Sequence, residues 1–229
     1  VALPLLAFSL AIAPAVADAA QPFTAERSWE IQRIGNPEVS PDGRHIVAPV
    51  SRTAMAEDKL LTDLWLWSSD GSVQRPLTGD PASEATPRFS PDGQTLVFVA
   101  QRDDDRTPQL YLMPIAGGEA RRLTTFATGV SVPRWVGNGK LVFASRVWAD
   151  LALDQQAKRL KEREESKMKA MVWDAGPVSV FDTLLDNRQG HLFSVDVATG
   201  AVTPLTLGRG LELPRFSQGF EGTFDVSPD

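Results

Sequence analysis

Pro87-Arg88-Phe89-Ser90-Pro91-Asp92-Gly93-Gln94-Thr95-Leu96-Val97-Phe98-Val99 reads as strand, tight turn, strand. Pro91 presets φ near about −65° at the second turn position, and Asp92 tolerates the bridge region. Gly93 can take the left-handed conformation that closes a short hairpin with a bulge. Leu96 to Val99 then form an apolar run of strand length, rich in β-branched and aromatic residues.

The chain repeats this unit. Val39-Ser40-Pro41-Asp42-Gly43 precedes Ile46-Val47, and Trp135-Val136-Gly137-Asn138-Gly139 precedes Leu141-Val142-Phe143 with a turn one residue shorter. Val226-Ser227-Pro228-Asp229 starts a further copy. A second column comprises Leu64-Trp65-Leu66, Leu110-Tyr111-Leu112 and Leu192-Phe193-Ser194, and a third Leu77-Thr78, Leu123-Thr124 and Leu205-Thr206. The step from second to third column is 13 residues each time, and the step on to the next hairpin, Ser90 or Val136, is again 13. A period in the forties, with about four strand signals in each, predicts β-propeller blades. The expected fold is all-β, a partial propeller of about three four-stranded blades with one helical insertion in the third.

Composition narrows the function classes. Lys and Arg number 23 against 29 Asp and Glu, for a net charge of −6, and the basic residues do not cluster, which argues against a nucleic-acid surface. There is no cysteine, hence no disulfide framework and no thiolate metal site. No phosphate loop, dinucleotide fingerprint or His-Glu-x-x-His is present, so no cofactor is expected.

Residues 1–19 have the look of the apolar core of a signal peptide, with Ala15-Val16-Ala17 or Ala17-Asp18-Ala19 as the small-x-small cleavage site. Pro14 interrupts a run already short for a membrane span, so no stable membrane insertion is expected after cleavage. The expected location is a bacterial periplasm or the exterior. Residues 20–36 read as a lead-in with a short helix over Ser28–Ile34, and residues 37–229 as an incomplete propeller. Asp229 falls inside a turn motif, which makes the chain read as a fragment of a longer protein.

One segment breaks the period. Asp150 is a helix N-cap by residue type, and Leu151 to Val172 contains neither Gly nor Pro, so a helical insert is expected over about residues 150–172. Leu153, Ala157, Leu160, Met168 and Met171 share one face, and Glu164 falls on the same stripe. Asp103-Asp104-Asp105 reads as a solvated loop, since no calcium-loop pattern follows. Gly129-Val130-Ser131-Val132-Pro133 is the nearest approach to a nucleophile elbow but precedes a strand, and His45 and His191 read as structural. No catalytic residue is expected in this chain.

The Ser-Pro-Asp-Gly hairpins with Leu110-Tyr111-Leu112 and Arg121-Arg122-Leu123-Thr124 resemble the propeller of prolyl oligopeptidase-family serine peptidases. The insert Lys158 to Lys167, followed by Phe181-Asp182-Thr183 and His191 to Asp196, is similar to that of exported bacterial dipeptidyl-peptidase and acylaminoacyl-peptidase-like members. The resemblance implies a substrate-gating propeller that admits short peptides, and a partner hydrolase domain downstream of Asp229 carrying Ser, Asp and His. In its dipeptidyl-peptidase members it also implies release of N-terminal dipeptides, with a glutamate pair on an inserted helix gripping the free α-amino group. Glu164 and Glu165 are the candidates for that pair, against an ordinary solvated helix in which Glu165 pairs with Lys161 and Lys169. The hairpins are shared with TolB-type propellers, so a periplasmic binding module without catalysis is the alternative. A propeller fused to a metal-dependent amidohydrolase is a further one.

Overall fold

The computed structural model describes residues 22–168, 170, 173, 179–180, 183–184, 187–214 and 220–227. The expected signal peptide and Phe181-Asp182 lie outside the described residues. The short helix α1 (Ala25–Trp29) is capped by Thr24, whose hydroxyl accepts the Arg27 amide at 3.3 Å. It is followed by β1 (Arg33–Ile34), β2 (Glu38–Val39), β3 (His45–Ala54), β4 (Lys59–Ser68) and β5 (Gln74–Pro76), the first blade. β1 and β2 both pair with β3, so they act as one innermost strand interrupted at residues 35–37. The expected Ser28–Ile34 helix is therefore wrong: Arg33 and Ile34 are committed to pairing with Ser51 and Val50.

The second blade is β6 (Glu84–Phe89), β7 (Thr95–Ala100), β8 (Gln109–Pro114) and β9 (Arg121–Arg122), paired in that order. The third begins with β10 (Ser131–Val136) and β11 (Lys140–Val147). The insert then carries α2 (Leu153–Glu165) and a small pair, β12 (Ser179–Val180) with β13 (Thr183–Leu184). β14 (Gln189–Asp196) and β15 (Val202–Pro204) complete the blade, with β14 paired along the whole of β11. The all-β partial propeller expected from the repeats is what the chain forms.

The turns explain why Ser, Asp and Gly recur. In blade one the Ser40 hydroxyl donates to Asp42 Oδ1 at 2.6 Å and accepts the His45 amide at 2.9 Å, while Asp42 Oδ1 also accepts the Arg44 amide at 3.0 Å. Ser90, Asp92, Gln94 and Thr95 repeat this at 2.6, 3.0 and 2.9 Å. Gly43 and Gly93 sit at φ 69° and 70°, where a Cβ would be strained. Ser68-Ser69-Asp70-Gly71 closes the β4–β5 hairpin with the same set of bonds.

The Leu-Thr column has an equally direct cause. The Thr78, Thr124 and Thr206 hydroxyls accept the amides of Leu64, Leu110 and Leu192 at 2.9, 3.0 and 3.0 Å. The leucine before each threonine donates its own amide to the same partner's carbonyl at 2.7, 2.7 and 2.9 Å. Each clamp ties the connection leaving the outermost strand back onto the third strand of its blade.

Burial on both sheet faces accounts for the continuous apolar runs. Leu96, Phe98, Tyr111 and Met113 pack against Val47, Leu64 and Leu66 of blade one. Their neighbours Val97, Leu110 and Leu112 point the other way, into a core with Leu141, Phe143, Phe193 and Val195 of blade three. The far face of blade three, at Val132 and Ala144, is covered by Leu213 and Phe220.

α2 differs from expectation at both ends. Its N-cap is Ala152, not Asp150, and it ends at Glu165 instead of reaching Val172. The buried Gln156 side chain accepts the Trp148 amide at 3.1 Å and donates to the carbonyls of Trp148 and Leu151 at 2.8 and 3.2 Å. That holds residues 148–151 as a turn and delays the helix. At the other end the Ser166 hydroxyl accepts the Met168 amide at 3.2 Å, a local bond that competes with helix continuation. The apolar stripe is not a buried face, since Ala157 and Met168 are exposed and Gln156 is the anchored residue.

Candidate functional site

β2, β6 and β10 are edge strands of their sheets, and β6 lies against both of the others. They converge where a propeller has its axis. Glu38, Arg88 and Arg134 occupy the same register, paired with Val47, Val97 and Val142 of the second strands, and each follows a proline.

The two arginines are delivered by the same irregularity. β6 and β10 both shift register just before them, at Thr86 with φ 49° and Val132 with φ 50°. A β-branched residue in the left-handed region costs on the order of 1–3 kcal/mol, so the surrounding sheet must over-determine it. Arg88 Nη1 then donates to the Pro87 carbonyl at 2.8 Å, and Arg134 Nη1 to that of Pro133 at 3.1 Å. Trp135 Nε1 donates to the Arg88 carbonyl at 3.1 Å and ties the strands together.

Glu221 meets both guanidinium groups. Its Oε1 accepts from Arg88 Nη2 at 2.6 Å and from Arg134 Nη2 at 3.0 Å. Glu38 stands 3.5 Å from Arg88 on one side, and Asp225 stands 3.6 Å from Arg134 on the other. The result is a ladder of alternating charge, Glu38, Arg88, Glu221, Arg134, Asp225, across the innermost strands. Burial pushes the Glu38 carboxyl above its ordinary value, outweighing the opposing pull of Arg88 and Arg134. Glu221 sits at the tip of the turn 220–223, where the Thr223 amide and hydroxyl both donate to the Phe220 carbonyl at 3.1 and 2.6 Å. Phe220 beside it is buried and anchors the turn.

A second network lies between blades one and two. Glu84, fully buried, accepts from Arg102 Nη2 at 2.6 Å and from the Thr78 hydroxyl at 2.8 Å. Arg102 lies 5.2 Å from the ring centres of both Phe98 and Tyr111. The Tyr111 hydroxyl donates to Asp105 at 2.6 Å, and Arg122 pairs with the same carboxylate. The acidic loop is thus solvated only at Asp103 and Asp104; Asp105 is a structural anchor. Although burial opposes its ionisation, Tyr111 and Arg122 hold its carboxyl below the ordinary value.

The residues singled out from sequence fall elsewhere. Glu164 and Glu165 are the last two residues of α2 and both are exposed. Glu164 stands 3.8 Å from Arg106 of the blade-two loop, and Glu165 stands 3.8 Å from Lys161. His191 is buried with Nδ1 3.1 Å from the Thr206 hydroxyl, repeating Gln109, whose Oε1 accepts from Thr124 at 2.8 Å. Ser131 lies in a strand and donates to the Ala144 carbonyl at 3.1 Å, so it is no nucleophile elbow. Sequence reasoning missed the ladder. Its signal was present in the residue following Pro37, Pro87 and Pro133, at one position of the repeat. Among the described residues, no group of His, Asp and Glu could hold a metal ion, and no helix is long and apolar enough to cross a membrane.

Residues 28–182 match PD40, the TolB beta propeller domain. The chain belongs to that family. It is 33% identical over 122 residues to the uncharacterized peptidase YuxL of Bacillus subtilis, covering 53% of this PD40 chain and 18% of the relative. It is 26% identical over 213 residues to dipeptidyl-peptidase 5 of Porphyromonas endodontalis, covering 90% of the chain and 29% of the relative. In fold it resembles the Pyrococcus horikoshii acylaminoacyl peptidase, with TM-score 0.61 at 15% identity over 82% of this chain and 26% of that one. The chain therefore spans less than a third of the length of these relatives. They are peptidases, in agreement with the resemblance to a prolyl oligopeptidase-family propeller.

Proposed function

We propose that this PD40 chain is the substrate-gating propeller of an exported serine peptidase that hydrolyses short peptides. The observation that carries the reading is the match to a dipeptidyl-peptidase over 90% of the chain, insert included. A blade with apolar residues on both faces needs neighbours on both sides, which suits a ring standing over a catalytic domain. The chemistry would be acyl transfer to a serine supplied by a downstream α/β-hydrolase domain, and the propeller would exclude folded proteins. Release of N-terminal dipeptides belongs to the same proposal. Glu164 and Glu165, exposed at the end of α2, are the carboxylates proposed to hold a free α-amino group by charge-assisted hydrogen bonds.

The test uses the natural full-length protein. A fluorophosphonate probe should label one serine, and short peptides should be cleaved while folded casein-sized domains are spared. Absence of labelling together with absence of peptide hydrolysis would instead support the non-catalytic, TolB-like binding module. For the glutamates, Glu164→Gln should slow cleavage of free-amine peptides relative to N-blocked ones. Unchanged selectivity refutes the assignment.

A further inference from the structure

The ladder on the innermost strands contains more carboxylate than it needs. Glu38 and Asp225 already stand 3.5 and 3.6 Å from Arg88 and Arg134, yet both guanidinium groups turn their Nη2 atoms onto one oxygen of a third carboxylate, Glu221. The two donors are held by bonds that do not involve Glu221. Each arginine side chain is 15% exposed, is pinned through Nη1 to the carbonyl of the preceding proline, and lies two residues after a left-handed β-branched residue at the same place in its blade. The acceptor is held differently: Glu221 is 44% exposed and sits on a turn tip from a remote part of the sequence. Rigid, largely desolvated, convergent guanidinium groups are the arrangement that recognises a carboxylate.

We propose that Arg88 and Arg134 form a carboxylate-binding site, that Glu221 occupies it as an internal ligand, and that the carboxylate of an incoming molecule replaces Glu221. The exchange substitutes one carboxylate for another, so the guanidinium groups keep their charge balance and hydrogen bonds. That the incoming carboxylate belongs to a peptide rests on the peptidase reading; the site itself does not. The two peptide sources, a C-terminus and an acidic side chain, share this chemistry.

Isothermal titration of the natural full-length protein with 3-phenylpropionate, and with its amide as control, tests the site without any scissile bond. Removing the internal competitor in Glu221→Gln should tighten 3-phenylpropionate binding about tenfold, because the free site is no longer a minor population. The amide should not bind, and adding Arg134→Lys, which keeps the charge but loses the fork, should reverse the gain. Binding no tighter in a folded Glu221→Gln protein overturns the proposal and leaves the ladder a clasp between blades; so does loss of the fold in that variant. Reduced-bond tripeptides then identify the source. Competition abolished by C-terminal amidation points to the C-terminus, and competition by an amidated peptide bearing Glu points to the side chain. Binding of 3-phenylpropionate without competition by any tripeptide would uphold the site and count against peptides as its ligand.

Discussion

Thr124→Val tests the cause of the Leu-Thr column. Thr124 is 1% exposed, and its hydroxyl both accepts the Leu110 amide at 3.0 Å and donates to Gln109 Oε1 at 2.8 Å. Valine keeps the side-chain shape and deletes those bonds. Gln109 Oε1 retains the Phe126 amide at 2.8 Å, so the damage concentrates on the Leu110 N–H, which is left buried without its partner. An unsatisfied buried donor costs about 1–3 kcal/mol. Taking about 2 kcal/mol, local opening becomes roughly 30-fold more frequent, since about 1.4 kcal/mol is a factor of ten. Native-state hydrogen exchange reads this directly: the Leu110 amide should exchange roughly 30-fold faster, with Leu192 in blade three as an internal reference. An unchanged Leu110 rate would refute the clamp and return the column to packing alone.

Thr78→Val should cost more than Thr124→Val in urea unfolding, because the Thr78 hydroxyl donates to a fully buried carboxylate, Glu84, at 2.8 Å, whereas Thr124 donates to the neutral amide of Gln109. Arg102→Met strands Glu84 as an unpaired buried carboxylate and should destabilise by about 3–5 kcal/mol, measured the same way; a loss under about 1 kcal/mol would mean the pair is dispensable. The turn aspartates predict an acid limb. Asp70 is held at about 2 by the Ser68 hydroxyl and then the Ser72 amide and hydroxyl. Asp42 and Asp92 are lowered by the Ser40 and Ser90 hydroxyls and then by backbone amides. Folded values below the ordinary 3.8 mean the stabilisation is complete above that pH and is lost as pH falls through the folded values. Asp70→Asn should flatten the stability profile below about pH 4, and a carboxyl carbon-13 titration of Asp70 near its ordinary value would contradict the bonding described. Gly190→Ala would put a Cβ 2.6 Å from the Phe220 ring and 3.0 Å from Leu213, with little room to yield. Overpacking of about 1–3 kcal/mol should appear as a lowered melting temperature and an altered near-ultraviolet signal.

The architecture was legible because each repeated residue does a local job. Ser, Asp and Gly satisfy a turn within six residues, and Thr closes a clamp onto a leucine 14 positions earlier, so the chemistry and its spacing are written together. Trp135-Val136-Gly137-Asn138-Gly139 lacks that Ser-Pro-Asp set, yet the hairpin forms at the expected place, because pairing of Trp135 with Leu141 is fixed by the strand pattern. The helix was legible in composition and misjudged in extent. Its limits depend on Gln156 bonding back to Trp148 and on Ser166 bonding forward to Met168, side-chain choices that periodicity does not encode.

The ladder shows what a repeat conceals. Aligning the blades places Glu38, Arg88 and Arg134 at one position, and charge at that position reads as an exposed face of an edge strand. It becomes a site only because edge strands of successive blades meet at the axis, where positions that are solvent-facing within one blade face each other across three. Glu221 then arrives from 87 residues beyond Arg134 and 133 beyond Arg88. A period in the forties cannot announce that contact, since it joins a repeat position to a turn standing outside the repeat. In a propeller, therefore, the sequence signature reports the walls, while the chemistry at the centre emerges from how unlike residues at a like position confront one another. Single-blade reasoning must miss it, whether Glu221 proves to be a displaceable ligand or a fixed rivet.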